Sequence, residues 1–224
     1  MTNARPGPIT RYDWVDARLQ AEIVLGNLPA GSRVKVNDLA RDWTLSPAPL
    51  REAVQRLAAR GVLEMSPQRG ARVAPVSLRE AHELYELRMQ LEPQALRLSM
   101  LNADESYNAD VIDAHRSFMA LGRRPRSNPA SASDIYLAHR TFHDATMSRC
   151  TVLWLLRLVG VLMDQTMRYI RFTFAKEAPR RGEHDELVEL IVSGDVNAAP
   201  RALLEHLERS SIYLESALAK AGLD

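Results

Sequence analysis

Apolar positions in the first sixty residues recur at helical spacing in three separate runs. Between Trp14 and Leu25, the residues Val15, Leu19 and Ile23 stand four apart and share one helix face. Gly26-Asn27-Leu28-Pro29-Ala30-Gly31 ends that helix in a turn. Val36 to Trp43 predicts a short second helix, with Asn37 and Asp38 near its start. Ser46 is the expected N-cap of a third. From Pro47, the positions Leu50, Val54, Leu57 and Ala58 line one face, and Gly61 ends the run. The period then changes. Val62 to Met65 and Ala71 to Ala74 are short and strand-like, and Ser66-Pro67-Gln68-Arg69-Gly70 between them forms turns.

Two helices, a turn, a third helix and a hairpin make the plan of a winged helix-turn-helix, expected over residues 1–76. Residues 1–10 hold two prolines and no apolar period, so a flexible arm is expected there. After Pro75 every periodic run is helical. Leu78 to Met100 is long and amphipathic, with Leu84, Leu87, Leu91 and Leu98 on the apolar side and Pro93 inside as a candidate kink. Further helices are expected near 104–121, 130–148, 151–175, 182–192 and 195–221. Loops fall at 122–129 and 178–182, and Gly194-Asp195 breaks the last two helices apart. The fold class is therefore mainly α, with an antiparallel helical bundle over 77–224.

Composition narrows the class. Hydrophobic residues make up 46% and charged residues 25%, ordinary for a globular protein. No apolar run reaches the roughly 18 residues of a membrane span, and the N-terminus lacks a signal-peptide pattern, so a cytoplasmic location with no membrane partner is expected. Cys150 is the single cysteine, which excludes an internal disulfide and any multi-cysteine metal site. The charge is uneven: residues 1–76 carry 11 Lys/Arg against 7 Asp/Glu, and residues 77–224 carry 18 against 21. A basic head on a mildly acidic body is the distribution a nucleic-acid binder shows.

Six histidines carry the remaining chemistry. His139 and His143 are four apart on one expected helix and point from one face, as a bidentate metal pair would. His184 and His206 lie on either side of the Gly194-Asp195 break, and their midpoint is residue 195. An antiparallel hairpin about that break brings them level. The competing reading of the pair on one helix is two partly exposed histidines with no ligand. His82 and His115 fall outside the set and read as surface or packing residues.

The first third resembles the GntR family of bacterial regulators. The resemblance is carried by Leu39-Ala40, Ser46, Pro49-Leu50-Arg51-Glu52-Ala53-Val54, Arg56-Leu57, Gly61-Val62, Arg69-Gly70 and Val73. It implies a double-stranded DNA operator, pseudo-palindromic and read by a homodimer, and no enzymatic activity. It places Asn37, Ser46, Ala48, Pro49, Arg51, Arg69 and Gly70 at the DNA. Arg51 sits one turn into the reading helix, within reach of a base or phosphate, and Arg69 at the wing tip can reach the backbone or minor groove. The alternative for Arg51 is a solvated arginine paired with a nearby carboxylate. The family pattern usually has Arg two residues before the helix-start Pro; here Pro47 stands there, removing a base-reading guanidinium.

The rest resembles the FCD ligand-binding domain of the FadR subfamily. Leu84-Tyr85-Glu86-Leu87-Arg88 with Leu91-Glu92, Phe142-His143, Glu183-His184 with Ile191 and Gly194-Asp195, and Ala202 to His206 match its motifs. The resemblance implies a divalent metal, Zn²⁺ or Ni²⁺, on His139, His143, His184 and His206, and a small carboxylate effector assisted by Arg88. The family's usual first ligand is Asp, where this chain has His139; Asp134 is a fallback out of helical phase with His143. Arg88 has an equal alternative as a buried ion pair with Glu92. Three further roles stay open for the metal: it is itself the signal, it is structural, or it activates water in a hydrolase.

Overall fold

The computed structural model describes residues 11–122, 132–173 and 181–223. The expected arm at 1–10, residues 123–129 of the first loop and residues 178–180 of the second lie outside the described residues.

The head consists of α1 (Arg11–Val24), α2 (Val36–Asp42) and α3 (Pro47–Ala59), with strands β1 (Arg33–Val34), β2 (Leu63–Ser66) and β3 (Gly70–Val73). The strands form an antiparallel sheet in the order β1-β3-β2, with Leu63 opposite Val73 and Ser66 opposite Gly70. Val15, Leu19 and Ile23 of α1 meet Leu50, Val54 and Leu57 of α3 in the core, as their spacing requires. Strand β1 was not legible in the sequence. Two residues are too few to show a period of two, and only their pairing with Arg72 and Ala71 defines them. Ser46 occupies the N-cap of α3 without a side-chain capping bond. Pro49 at the third helical position has no N–H, so one of the two usual donors to such a cap is missing.

The body consists of α4 (Leu78–Leu101), α5 (Tyr107–Gly122), α6 (Ala132–Thr146), α7 (Leu153–Thr166), a 3-10 turn (Met167–Tyr169), α8 (Ile170–Thr173), α9 (Arg181–Val192) and α10 (Ala198–Lys220). Helix α4 lies between α10 and α7, while α5 packs on α6 and α9. The Ser77 hydroxyl caps α4 by accepting from the Glu80 N–H. Helix α4 runs unbroken through Pro93. Leu87 does not join the apolar side assigned to it: it is 45% exposed, whereas Leu84 is buried. The expected single helix over 151–175 is divided at Thr166 by the 3-10 turn. That turn serves the domain link. Buried Arg168 donates to the Pro75 carbonyl and, at 2.8 Å, to Glu80, and the Tyr169 hydroxyl donates to Glu80. The last helix starts at Ala198 rather than 195, because the Asp195 carboxylate accepts from the Asn197 and Ala198 amides and caps it.

Head and body share packing. Tyr136 of α6, Met167 and Ile170 belong to the same buried cluster as Leu19 and Leu57. The two parts also come close at Gly61. It has a φ of 73°, and a Cβ there would stand 2.6 Å from the Gln165 amide nitrogen of α7.

Candidate metal centre and nucleic-acid interface

The exposed side of α3 and the β2-β3 wing border a cleft of about 540 Å³, lined in part by Lys35, Asn37, Arg51, Gln55 and Gly70. Ser46, Ala48, Arg51, Arg69 and Gly70 are all exposed. Arg51 makes no hydrogen bond or ion pair among the described residues, so the paired-arginine alternative fails there. Pro49 corrects the expectation. It is buried on the inner side of α3, in the first turn, and shapes the helix start rather than standing on the exposed side with Arg51. Lys35 and Gln55 were missed. Gln55 is four residues beyond Arg51 and shares its face, so helical spacing alone would have found it.

The four histidines converge. His139 and His143 project from α6, His184 from the first turn of α9 and His206 from α10. One donor nitrogen from each lies within 4.8 Å of all the others. His139 Nε2 is 3.1 Å from His143 Nε2 and 3.2 Å from His184 Nε2, and the His184 and His206 rings are 4.6 Å apart. Nitrogens that share one ion at roughly 2.0–2.1 Å stand about 3–3.4 Å apart. A ring nitrogen has one in-plane site, so His139 Nε2 cannot serve both neighbours well by hydrogen bonding. His143 Nδ1 is buried without a hydrogen-bond partner among the described residues. The crowding of donor nitrogens around His139 Nε2 fits a set that holds an ion. Asp134 is exposed and outside the set, as its helical phase dictates.

The surroundings favour the neutral form of His139 and His143. Burial is the main force pulling the His139 and His143 pKa values well below 6.5, and the neighbouring rings and Arg88 add to it. Neutral imidazole is the ligating form. Phe118 packs its ring 5.1 Å from His139 and 5.2 Å from His184. Glu183 Oε2 is 2.8 Å from His206 Nδ1 and fixes that ring, leaving the other nitrogen to face the cluster. Arg209 holds the same carboxylate at 2.9 Å. Glu183 stood in the matched motif with no role assigned to it. Arg88 is buried and donates through Nε to Glu92 at 2.5 Å, with its guanidinium over Tyr85. The ion-pair alternative for Arg88 is therefore the arrangement observed. His82 is exposed between Glu86 and Glu215, and His115 meets Asp185 and Phe142, so neither joins the cluster.

A compact three-helix head with a wing, joined to an all-helical body, defines a DNA-binding regulator. Comparison with known proteins gives the particular family. The pattern of the gntR family of bacterial regulatory proteins matches residues 11–73, and that of the FCD domain matches residues 83–209. The HTH-type transcriptional regulator BphR of Paraburkholderia xenovorans (strain LB400) is 34% identical over 86% of this chain and 80% of its own. The HTH-type transcriptional repressor GlaR of Escherichia coli (strain K12) is 24% identical over 93% of this chain and 96% of its own. The fold is similar to that of E. coli McbR/YncC, with a TM-score of 0.76 at 20% identity over 93% of this chain and 99% of that one. The chain belongs to the GntR family and carries an FCD domain: it is a DNA-binding transcription regulator, not an enzyme. No helix among the described residues is long and apolar enough to cross a membrane.

Proposed function

We propose that the protein is an effector-responsive repressor in which a DNA-reading head (residues 1–76) is controlled by a metal-holding helical body (residues 77–224). Relatives named as transcriptional repressors, among them GlaR, support the direction of regulation. Asn37, Ser46, Ala48, Arg51, Arg69 and Gly70 meet operator DNA, which two copies read as a pseudo-palindrome. His139, His143, His184 and His206 hold a divalent ion, Zn²⁺ or Ni²⁺, and Glu183 orients His206. When bound, that ion offers an electrophilic position for the oxygens of a small carboxylate. Arg88, already held by Glu92, keeps a cation close to that position and favours an anion there.

The convergence of four buried or half-buried imidazoles carries this reading. The test is operator binding by anisotropy with the protein metal-loaded, chelated, and loaded with a panel of small carboxylates. Release from the operator by one carboxylate, only in the loaded protein, is the expected result. A second reading, in which the ion itself is the signal, has support from the closeness of the four donors. Chelation alone would then abolish binding at unchanged fold, and no carboxylate would matter. The hydrolase alternative falls with the family.

A further inference from the structure

The donors of the histidine cluster are all imidazole nitrogens. Among the described residues, no carboxylate and no thiol joins His139, His143, His184 and His206. The acids beside the cluster are committed elsewhere: Glu183 is held between His206 and Arg209, and Glu92 is held by Arg88. Two aromatic rings wall the cluster and offer no oxygen. Phe118 lies 5.1 Å from the His139 ring and 5.2 Å from His184, and Phe142 lies 5.4 Å from His143 and 5.5 Å from His184. His139 is the pivot of the set. Its Nε2 is 3.1 Å from that of His143 and 3.2 Å from that of His184. It is also the half-buried member, the other three being buried.

We infer that His139 sets which ions the site accepts: its imidazole completes an all-nitrogen set that takes Zn²⁺ or Ni²⁺ and turns away Mn²⁺ and Mg²⁺. The inference rests on the proposal that the cluster holds a divalent ion. The first reason is donor type. Imidazole suits ions late in the first-row series, whereas Mn²⁺ and Mg²⁺ favour carboxylates, carbonyls and water. Mg²⁺ also gives up its waters reluctantly, and the Phe118 and Phe142 rings offer no hydrogen-bond partner to the waters it would keep. The second reason is charge. Four neutral ligands cancel none of the ion's two charges, and Arg88 is already matched by Glu92, so that acid is not free to help. Burying an uncancelled charge is costly unless the bonds to its donors are strong. Nitrogen bonds to Zn²⁺ and Ni²⁺ meet that requirement better than those to Mn²⁺. A carboxylate at position 139 would remove both barriers at once, by adding an oxygen donor and a negative charge. Because His139 is the half-buried member, that exchange leaves the three packed rings in place.

The test uses the full, untagged chain, freed of metal by a chelator and then given Zn²⁺, Ni²⁺, Mn²⁺ or Mg²⁺ alone. Competition with a chromogenic chelator yields each dissociation constant, and the thermal midpoint is an independent readout. The wild type is compared with His139→Asp and His139→Glu, which present oxygen donors at two different reaches. The wild-type midpoint should rise with Zn²⁺ or Ni²⁺ and stay still with Mn²⁺ and Mg²⁺. At least one variant should take up Mn²⁺, and its ratio of Mn²⁺ to Zn²⁺ dissociation constants should fall by about 10-fold or more. A wild type that binds Mn²⁺ as tightly as Zn²⁺, or a ratio unchanged in both folded variants, overturns the assignment and leaves the metal-holding reading intact. A wild type that binds none of the four ions overturns both. If circular dichroism shows that neither variant folds, the wild type decides alone. A midpoint raised by Mn²⁺ then overturns the inference, and one raised by Zn²⁺ but not by Mn²⁺ upholds it.

Discussion

Arg60 and Asp164 form a two-point ion pair between the last turn of the reading module and α7. Arg60 Nε reaches Asp164 Oδ2 at 2.7 Å, and Nη2 reaches Oδ1 at 2.7 Å. The same Oδ1 accepts from Arg140 Nη1 at 2.9 Å. Arg140 follows His139 directly on α6. One carboxylate therefore joins the end of α3 to the helix that supplies half of the histidine cluster. Asp164→Asn should lower unfolding stability by about 1–3 kcal/mol, between the values for exposed and buried pairs, because Arg60 is only part-buried. It should also shrink the difference in operator affinity between metal-loaded and chelated protein. Urea denaturation and anisotropy measure the two effects. Full stability with an unchanged affinity difference would mean that the pair carries no coupling.

Gly61 permits that contact. Gly61→Ala places a methyl group 2.6 Å from the Gln165 amide and strains a positive φ. A loss of about 1–3 kcal/mol is expected from the strain and the displaced Gln165 together. Gly31 has a similar φ of 79° and open space around its Cβ position, so Gly31→Ala should cost only the conformational part. Equal losses at the two sites would remove the argument from close approach.

Arg51→Ala should weaken operator binding by about 1–3 kcal/mol, or roughly 5- to 150-fold, at one salt concentration. The thermal midpoint should not move, since Arg51 is exposed and unpaired among the described residues. Gln55→Ala should relax base preference more than it lowers affinity. A binding series over operators with single base changes reads both. An unaltered affinity for Arg51→Ala would reject α3 as the reading helix.

Glu183→Gln should weaken metal binding by about 10- to 100-fold while leaving the four donors in place. The carboxylate orients His206 through Nδ1, and the amide does so less well. Competition with a chromogenic chelator measures the change. Removing the ion should lower the thermal midpoint, because the donors tie α6, α9 and α10 together. A midpoint indifferent to chelation would argue against a bound ion.

The sequence by itself determined the main helices and the wing hairpin, in their order. Four-residue apolar spacing drew α1 and α3, and the change of period at Val62 drew the wing, because helical and strand cores impose different repeats on any chain. It also brought His184 level with His206, since a hairpin broken at Asp195 leaves only one way to pair two antiparallel helices. The tertiary structure alone decided what lies between distant segments. Asp164 next to Arg60, Pro49 turned inward, Leu87 turned outward, and the pairing of Arg33 and Val34 with β3 all depend on which faces meet. Periodicity states that a helix has an apolar side. Which neighbour covers that side is set by the packing of helices far apart in sequence.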